Sequence, residues 1–360
     1  MIQWKFNWTN TWDEVWSENF ISRWRELMKE AADAHVFYEP DIVQAWYETY
    51  KNLRDIEPRF LIATCGKDYE IFLPLICDKG SWKDGWQNVL YAAGQLEFDY
   101  HDPIASMNLP AEFKSSFWVA LKEELEALDD RIDVVEIPRI RDIWIGEDNT
   151  LLKPAAKAPY IDLKGFETFE DFSKGLHSKM RRDIGRQKRR MSELGSLELK
   201  QIRDVDKALE ILPALEKVRK EKWVVANRTK DFYRNLVILG LKSGIVQLSV
   251  LESDGRPICW HLGFLYKGKY YNYVMVFNPE MAAYSPGKIH LAMIIEAAIK
   301  LKLDVFDFML GVEDYKFQWA NGNVDLFEYE WKIGGVGSKI RHNARNALQS
   351  VAAIKSRMSA

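Results

Sequence analysis

The stretch that decides the fold is KYYNYVMVF (269–277), followed by Tyr284-Ser285-Pro286-Gly287-Lys288, IHLAMIIEAAIKL (289–301) and VFDFML (305–310). The outer runs pattern as strands and the middle run as a helix, so the segment reads strand, turn, helix, strand. A glycine-containing turn at a helix N-terminus presents backbone N–H groups to an anion, above all a phosphate. Pro286, near the first helical position, adds no unpaired donor and presets φ. Gly287 lets a ligand approach the backbone, and Lys288 sets a cation beside it. The other use of such a turn is a plain helix start with good turn chemistry. The final strand runs on into Gly311-Val312-Glu313-Asp314-Tyr315-Lys316.

Working outward, strands are expected at 160–163, 197–202, 245–252, 257–266 and 324–332. Helices are expected at 168–175, 178–194, 205–223 and 230–243. Residues 139–158 lack periodicity and, with Pro154 and Pro159 close by, mark a domain boundary. Before it, residues 11–32 read as one helix with a Thr11/Glu14 capping box and an aromatic stripe of Trp12, Trp16, Phe20 and Trp24. That stripe suits a core or an inter-domain seam better than a sugar-stacking face. A helix is expected at 41–52, paired strands at 59–64 and 69–78 around Gly66-Lys67-Asp68, a strand at 88–92, a helix at 111–128 and a strand at 132–137. The expected domains are 1–155, 156–334 and a basic C-terminal helix or tail, 335–360. That tail carries Lys339, Arg341, Arg345, Lys355 and Arg357 and a weak apolar stripe of Ile340, Ala344, Leu348, Val351 and Ile354. The two larger domains share a loose order of elements, but no residue-level repeat links them.

A chain of 360 residues with 47% hydrophobic content has material for one large core or two ordinary ones. The net charge of −3 argues against a generally basic nucleic-acid binder, so only local patches could do that work. Cys65, Cys77 and Cys259 are widely spaced with no C-x-x-C pair, which favours neither zinc nor a disulfide framework. No run approaches the roughly 20 apolar residues of a membrane span, and the N-terminus lacks a signal-peptide layout. A soluble, cytoplasmic protein is expected, with a membrane contact at most peripheral.

SPGK, a helix, and the pattern Asp307, Gly311, Glu313, Tyr315, Lys316, Trp319 together resemble the C-terminal half of the CelD-type and FemAB-like acyltransferases of the GNAT superfamily. Phe37-Tyr38-Glu39-Pro40, Phe72-Leu73-Pro74-Leu75, and Gly94 with Asp99-Tyr100-His101-Asp102-Pro103 are similar to the N-terminal half. The basic helix 178–194 after Pro159-Tyr160-Ile161-Asp162-Leu163 matches as well, so the resemblance spans residues 37–332. It implies an α/β (α+β) protein of two tandem GNAT-like domains, with mixed, mostly antiparallel sheets flanked by helices and an active cleft between or beneath them. It also implies an acyl-CoA donor, acetyl-CoA first, an amine or hydroxyl acceptor, and a setting in polysaccharide or cell-envelope precursor synthesis. The FemAB branch takes aminoacyl-tRNA instead. No long helical hairpin of the kind that meets tRNA stands out here, which ranks tRNA behind acyl-CoA. A non-catalytic scaffold of the same fold is the third reading.

Acyl transfer from a thioester requires donor binding, a polarised carbonyl, a base for the nucleophile and an acid for the thiolate. Ser285, Gly287 and Lys288 are expected at the pyrophosphate, where the superfamily's turn is usually richer in glycine and arginine. Asp307 and Glu313 flank a strand end, where ligands of open sheets gather, and either could be the base. Tyr315 could protonate the thiolate and Lys316 hold an anionic group; alternatively Asp307 caps a turn and Lys316 lies on a solvated face. His261 could be a base or a satisfied core histidine. Asp99, Tyr100 and His101 are expected in the acceptor cleft, Asp99 orienting His101, or in a plain surface loop. Arg182 and Arg186 belong to a helix whose seven cations (with Lys179, Arg181, Lys188, Arg189 and Arg190) face only Asp183 and Glu193. Such a field suits a solvated face, an anionic small molecule or tRNA. No metal and no DNA are expected; the acceptor, N- or O-acylation and the oligomeric state stay open.

Overall fold

The computed structural model describes residues 2–80, 86–128, 132–147, 150–222, 231–333 and 338–347. Contacts within the chain divide it into two compact units, one of residues 1–43, 50–155 and 325–360, the other of 44–49 and 156–324.

In chain order the first part runs β1 (Lys5–Thr9), α1 (Trp12–Val15), α2 (Glu18–Glu30), α3 (Pro40–Tyr50), β2 (Ile56–Cys65), β3 (Tyr69–Asp78), β4 (Val89–Ala92), the short β5 (Ile104–Ala105), α4 (Ala111–Ala127) and β6 (Val134–Arg141). The second part runs β7 (Leu152–Asp162), α5 (Phe169–Lys174), α6 (Ser178–Ser192), β8 (Leu197–Ile202), α7 (Val205–Lys222), α8 (Asp231–Gly240), β9 (Val246–Ser253), β10 (Arg256–Tyr266), β11 (Lys269–Phe277), α9 (Pro286–Lys300), β12 (Val305–Asp307), α10 (Asp314–Trp319) and β13 (Gly322–Lys332).

In the first unit the strands lie in the order β1-β2-β3-β4-β6-β13. The first four form an antiparallel meander, β4 pairs with β6 in parallel, and β13 pairs antiparallel with β6. A parallel join needs a crossover, and α4 lies in it. In the second unit the order is β8-β9-β10-β11-β12-β7. There too four antiparallel strands lead to one parallel partner, β12, after the crossover through α9, and an antiparallel strand, β7, completes the set. The duplication invisible at residue level is therefore plain in topology. The closing strands come from opposite directions along the chain: β7 precedes the meander it completes, whereas β13 follows its own by most of the sequence. The expected mixed α/β architecture of mostly antiparallel sheets flanked by helices is present.

The hairpin of β2 and β3 turns where Gly66 takes φ +65°, in a register that pairs Cys65 with Tyr69. β3 is buried from Ile71 to Cys77 on both faces, as suits a central strand. In the second unit α6 and α9 cover the sheet, with Met180 and Ile184 of one packing among Leu291, Ile294, Ile295 and Ile299 of the other over Tyr270 and Phe306. Trp319 of α10 stacks on Phe172 of α5 at 6.5 Å between ring centres. The three cysteines are buried thiols that form no disulfide among the described residues. Among the described residues no helix is long and apolar enough to cross a membrane.

Several elements differ from the sequence reading. The expected helix 11–32 is two helices: Ser17 interrupts it and caps the second by accepting from the Phe20 N–H at 3.3 Å. Thr11 does cap the first, accepting from the Glu14 N–H. The aromatic stripe survives the break, because Trp16 stacks on both Trp12 and Trp24. β1 was not anticipated, and the aperiodic region 139–158 holds the end of β6 and half of β7. β12 stops at Asp307, short of Leu310, where Met309 adopts φ +57°. Of the basic tail, residues 338–347 are helical. Arg341 Nε donates to Asp133 at 2.9 Å and Arg345 donates to Gln87 at 2.8 Å. Residues 334–337 and 348–360, with Leu348, Val351, Ile354, Lys355 and Arg357, lie outside the described residues, as does Trp223.

Candidate functional site

The ladder between β11 and β12 is short. It pairs Tyr271 with Asp307 and ends there, while β11 continues to Phe277 paired with β10. Beyond Asp307 the chain turns to β7 instead, and the Phe308 N–H donates to the Pro159 carbonyl. The last residues of β11 are thus left with a partner on one side, and the Ser285–Lys288 turn closes over them. A Cβ placed on Gly287 would lie 3.4 Å from the Phe277 ring and 3.7 Å from Met275 Sδ.

The turn is tight. Ser285 has φ +51°, a conformation rare for a residue with a side chain. Its carbonyl accepts from the N–H groups of Lys288 at 3.0 Å and Ile289 at 3.3 Å. Pro286 has no N–H, so Gly287 supplies the first-turn N–H that no chain atom claims among the described residues. The expected array of free donors reduces to that one, and the cations around it become more important.

Those cations come from α6. A groove of about 650 Å³ is lined by His177, Lys179, Met180, Arg182, Asp183 and Arg186 of the α6 region, Lys288 of α9 and Gln318 of α10. The helix buries Met180, Ile184, Gln187 and Met191, and this leaves Lys179, Arg182 and Arg186 on a face turned away from the core. Asp183 binds Lys288 Nζ through Oδ2 and Arg186 Nη2 through Oδ1, the latter at 2.6 Å. The Lys288 and Arg186 contacts hold its carboxyl below the usual carboxylate range. Arg190 anchors the run into the turn: it donates to the Ala283 carbonyl at 3.1 Å and lies 4.9 Å over the Tyr284 ring. The structure therefore brings together Arg182, Arg186 and Lys288, which the sequence offered as separate features. Gln318 and the counter-charge role of Asp183 were not foreseen.

The other expected residues divide. Asp307 is nearly buried and its Oδ1 accepts from the Met309 N–H at 2.7 Å, so it caps the bend at the strand end. Glu313 is open, its side chain 57% exposed, and pairs with Lys316 at 3.1 Å. Lys316 is neither a solvated residue nor a ligand-facing one: it is 6% exposed, and its Nζ donates to the Leu310 carbonyl at 2.6 Å as well as meeting Glu313. Tyr315 is 45% exposed, yet burial near its hydroxyl and the Glu313 charge push the phenol up to about 12. Gly311 takes φ +137°, a conformation that strains a residue with a side chain, and a Cβ there would displace the side-chain ends of Glu313 and Lys316, at 2.0 Å from Oε2 and 2.5 Å from Nζ.

His261 is a core histidine and not a base. It is fully buried, with Nε2 2.9 Å from Asn272 Oδ1 and Nδ1 3.3 Å from the Tyr270 hydroxyl, and burial lowers it to about 4. The Asp99–Asp102 segment is likewise not an open surface loop. Tyr100, His101 and Asp102 are wholly buried in the first unit, so they do not face an acceptor. Asp99 pairs with Arg139 at 3.6 Å, and Asp102 takes Arg141 Nε at 2.9 Å and Nη2 at 2.8 Å. Tyr38 donates to the His101 carbonyl, and His101 Nδ1 lies 3.1 Å from the Pro138 carbonyl. This segment follows the fourth strand of its meander, the place that the Ser285–Lys288 turn holds in the other unit. Here protein fills it: a Cβ on Gly94 would lie 1.9 Å from the Phe98 ring.

Comparison with known proteins bears on the fold that carries these residues. Residues 178–317, from the start of α6 into α10, match the model of the GNAT acetyltransferase domain. The solved structure of FemX shares the fold over 86% of this chain and 95% of its own, at 10% identity and a TM-score of 0.60. So does the C-terminal domain of a protein from Agrobacterium fabrum assigned as a lysylphosphatidylglycerol synthetase, over 93% of this chain and 95% of that one, at 12% identity and a TM-score of 0.51. A conserved protein of unknown function from Bacteroides thetaiotaomicron VPI-5482 matches over 90% and 99%, at 11% identity and a TM-score of 0.50. At these identities the likeness is one of fold alone. No curated protein sequence matches the chain.

Proposed function

We propose that this protein transfers an acyl group, acetyl in the first instance, from acyl-CoA to an amine or hydroxyl acceptor. The observation that carries the reading is the cationic groove of Lys179, Arg182, Arg186 and Lys288 beside the Gly287 N–H, inside the segment that matches the GNAT model. Four cations and a free backbone donor suit the phosphates of CoA, which bind as charge-assisted hydrogen-bond acceptors. Glu313 is the better base, because Asp307 is nearly buried and held by the Met309 N–H whereas Glu313, though paired with Lys316, has a side chain 57% exposed and can be reached. It would take the proton of the attacking amine or hydroxyl as the new bond to the thioester carbon forms. The C–S bond then breaks, and the thiolate takes a proton from Tyr315, whose phenol is protonated at neutral pH. Polysaccharide or cell-envelope precursor synthesis is the setting we propose, by analogy of family alone.

Calorimetric titration with CoA and acetyl-CoA tests this reading. Saturable binding that is lost in Lys288→Glu and in Gly287→Trp is the expected result. Alanine at 287 would make only ordinary contacts, so a bulky side chain is needed to block the turn. Equal binding by wild type and both variants would remove the groove from the donor site. Absence of binding in the wild type would turn the reading to aminoacyl-tRNA, checked by a shift assay at varied salt, or to a scaffold without catalysis.

A further inference from the structure

The groove holds one acid among its four cations. Asp183 sits on the groove side of α6 and bridges Lys288 and Arg186, one from each wall. Those are two of the cations a phosphate entering the groove would meet, and a carboxylate already spans them. A phosphate cannot take both in full without loosening one of these contacts, because a lysine ammonium and an arginine fork have finite donors and directions. Without Asp183, Lys179, Arg182, Arg186 and Lys288 would face one another as like charges in one concavity.

We propose that Asp183 is an internal counter-anion: it holds the two walls of the groove together before the donor binds and competes with the donor's phosphates for Lys288 and Arg186. The inference rests on the reading that this groove takes those phosphates. Its consequence is weaker donor binding than the cations alone would give, and a carboxylate ready to reclaim both cations as the free CoA product departs. A carboxylate about one phosphate diameter from the bound anion changes affinity by roughly fourfold at the dielectric of water and by roughly 300-fold at the effective dielectric of a protein surface. Asp183 is thus a positioning residue that also sets affinity, and its two roles have opposite signs. Neutralising it loosens the protein alone and tightens its grip on anions.

The test is Asp183→Asn, with Asp183→Glu as the conservative variant, titrated with CoA, inorganic pyrophosphate and pantetheine, which lacks phosphate. The expected result has three parts. Asp183→Asn melts at lower temperature without ligand, binds CoA and pyrophosphate more tightly by roughly fourfold or more, and binds pantetheine as the wild type does. Asp183→Glu returns both properties toward wild type. If the wild type binds CoA and Lys288→Glu does not, but Asp183→Asn binds phosphates no more tightly, then Asp183 is only a structural tie and the proposal falls. Equal tightening for pantetheine also overturns it, since charge would not be the cause. If neither wild type nor Asp183→Asn binds CoA or pyrophosphate, the reading of the groove fails and this proposal fails with it.

Discussion

Replacing Asp102 by asparagine removes the charge from a wholly buried carboxylate while keeping its shape. Arg141 reaches it with two nitrogens, at 2.9 and 2.8 Å, and is itself nearly buried. Burial alone would push the Asp102 carboxyl up, but the Arg141 charge and hydrogen bonds outweigh it and hold the carboxyl below its ordinary value. Breaking a buried pair by removing one partner costs about 3–5 kcal/mol, because the remaining charge is left uncompensated. Arg141 would keep its 2.6 Å bond to the Asp33 carbonyl and its place 5.3 Å over the Tyr100 ring, which points to the lower end, about 3 kcal/mol. Total stabilities run about 5–15 kcal/mol, so this is a large fraction. For a unit of this size each kcal/mol moves Tm by about 2–4 °C, which predicts a fall of about 6–12 °C. Thermal and urea unfolding measure it. The double variant Asp102→Asn/Arg141→Met should be less destabilised than Asp102→Asn alone, since no charge is then stranded. A Tm within about 2 °C of wild type would refute the reasoning. So would loss of CoA binding with an unchanged Tm, because the segment would then belong to the site after all.

Three further outcomes are expected. His261, His290 and His101 are buried and neutral, and burial lowers all three, His261 to about 4. The unfolded chain binds protons below about pH 6.5 that the folded chain refuses, so stability is full above that pH and declines toward pH 4, by up to about 1.4 kcal/mol per pH unit for each histidine. Equal urea midpoints at pH 7 and pH 5 would contradict this; below pH 4 the loss of the Asp102 charge adds to it. Glu313→Gln should lower turnover about a hundredfold or more with donor affinity unchanged, read from initial rates beside calorimetry. Gly311→Ala should strain the backbone by about 1–3 kcal/mol and displace Glu313, so turnover falls while CoA still binds; full activity would show that the loop can rearrange freely.

The strand, turn, helix and strand at 269–310 could be read from the chain because each is set by local periodicity and by Pro286 and Gly287. The same holds for β8 and β11, whose limits match the expectation residue for residue. What the sequence hid was mostly pairing at a distance. Asp99-Tyr100-His101-Asp102 looks like a solvated loop because Arg139 and Arg141, which neutralise it, come from another strand. Lys316 looked exposed for a similar reason: its burial depends on the Leu310 carbonyl folding back to it across Gly311. In α6 a lone acid amid arginines reads as ordinary surface charge until Lys288 is seen beside it. The break at Ser17 is the exception, a local cap signal that the unbroken aromatic stripe concealed.

The return of β13 to the first unit has a consequence for how the protein is made. Tyr329 pairs with Ile137, about 190 residues earlier in the chain. While the ribosome is still producing residues 156–324, β6 has β4 on one side and an open edge on the other. At bacterial or eukaryotic elongation rates that interval lasts roughly ten to thirty seconds. An exposed strand edge is a template for unwanted pairing, so for that time the nascent chain offers a natural target to chaperones and to neighbouring copies on the same message.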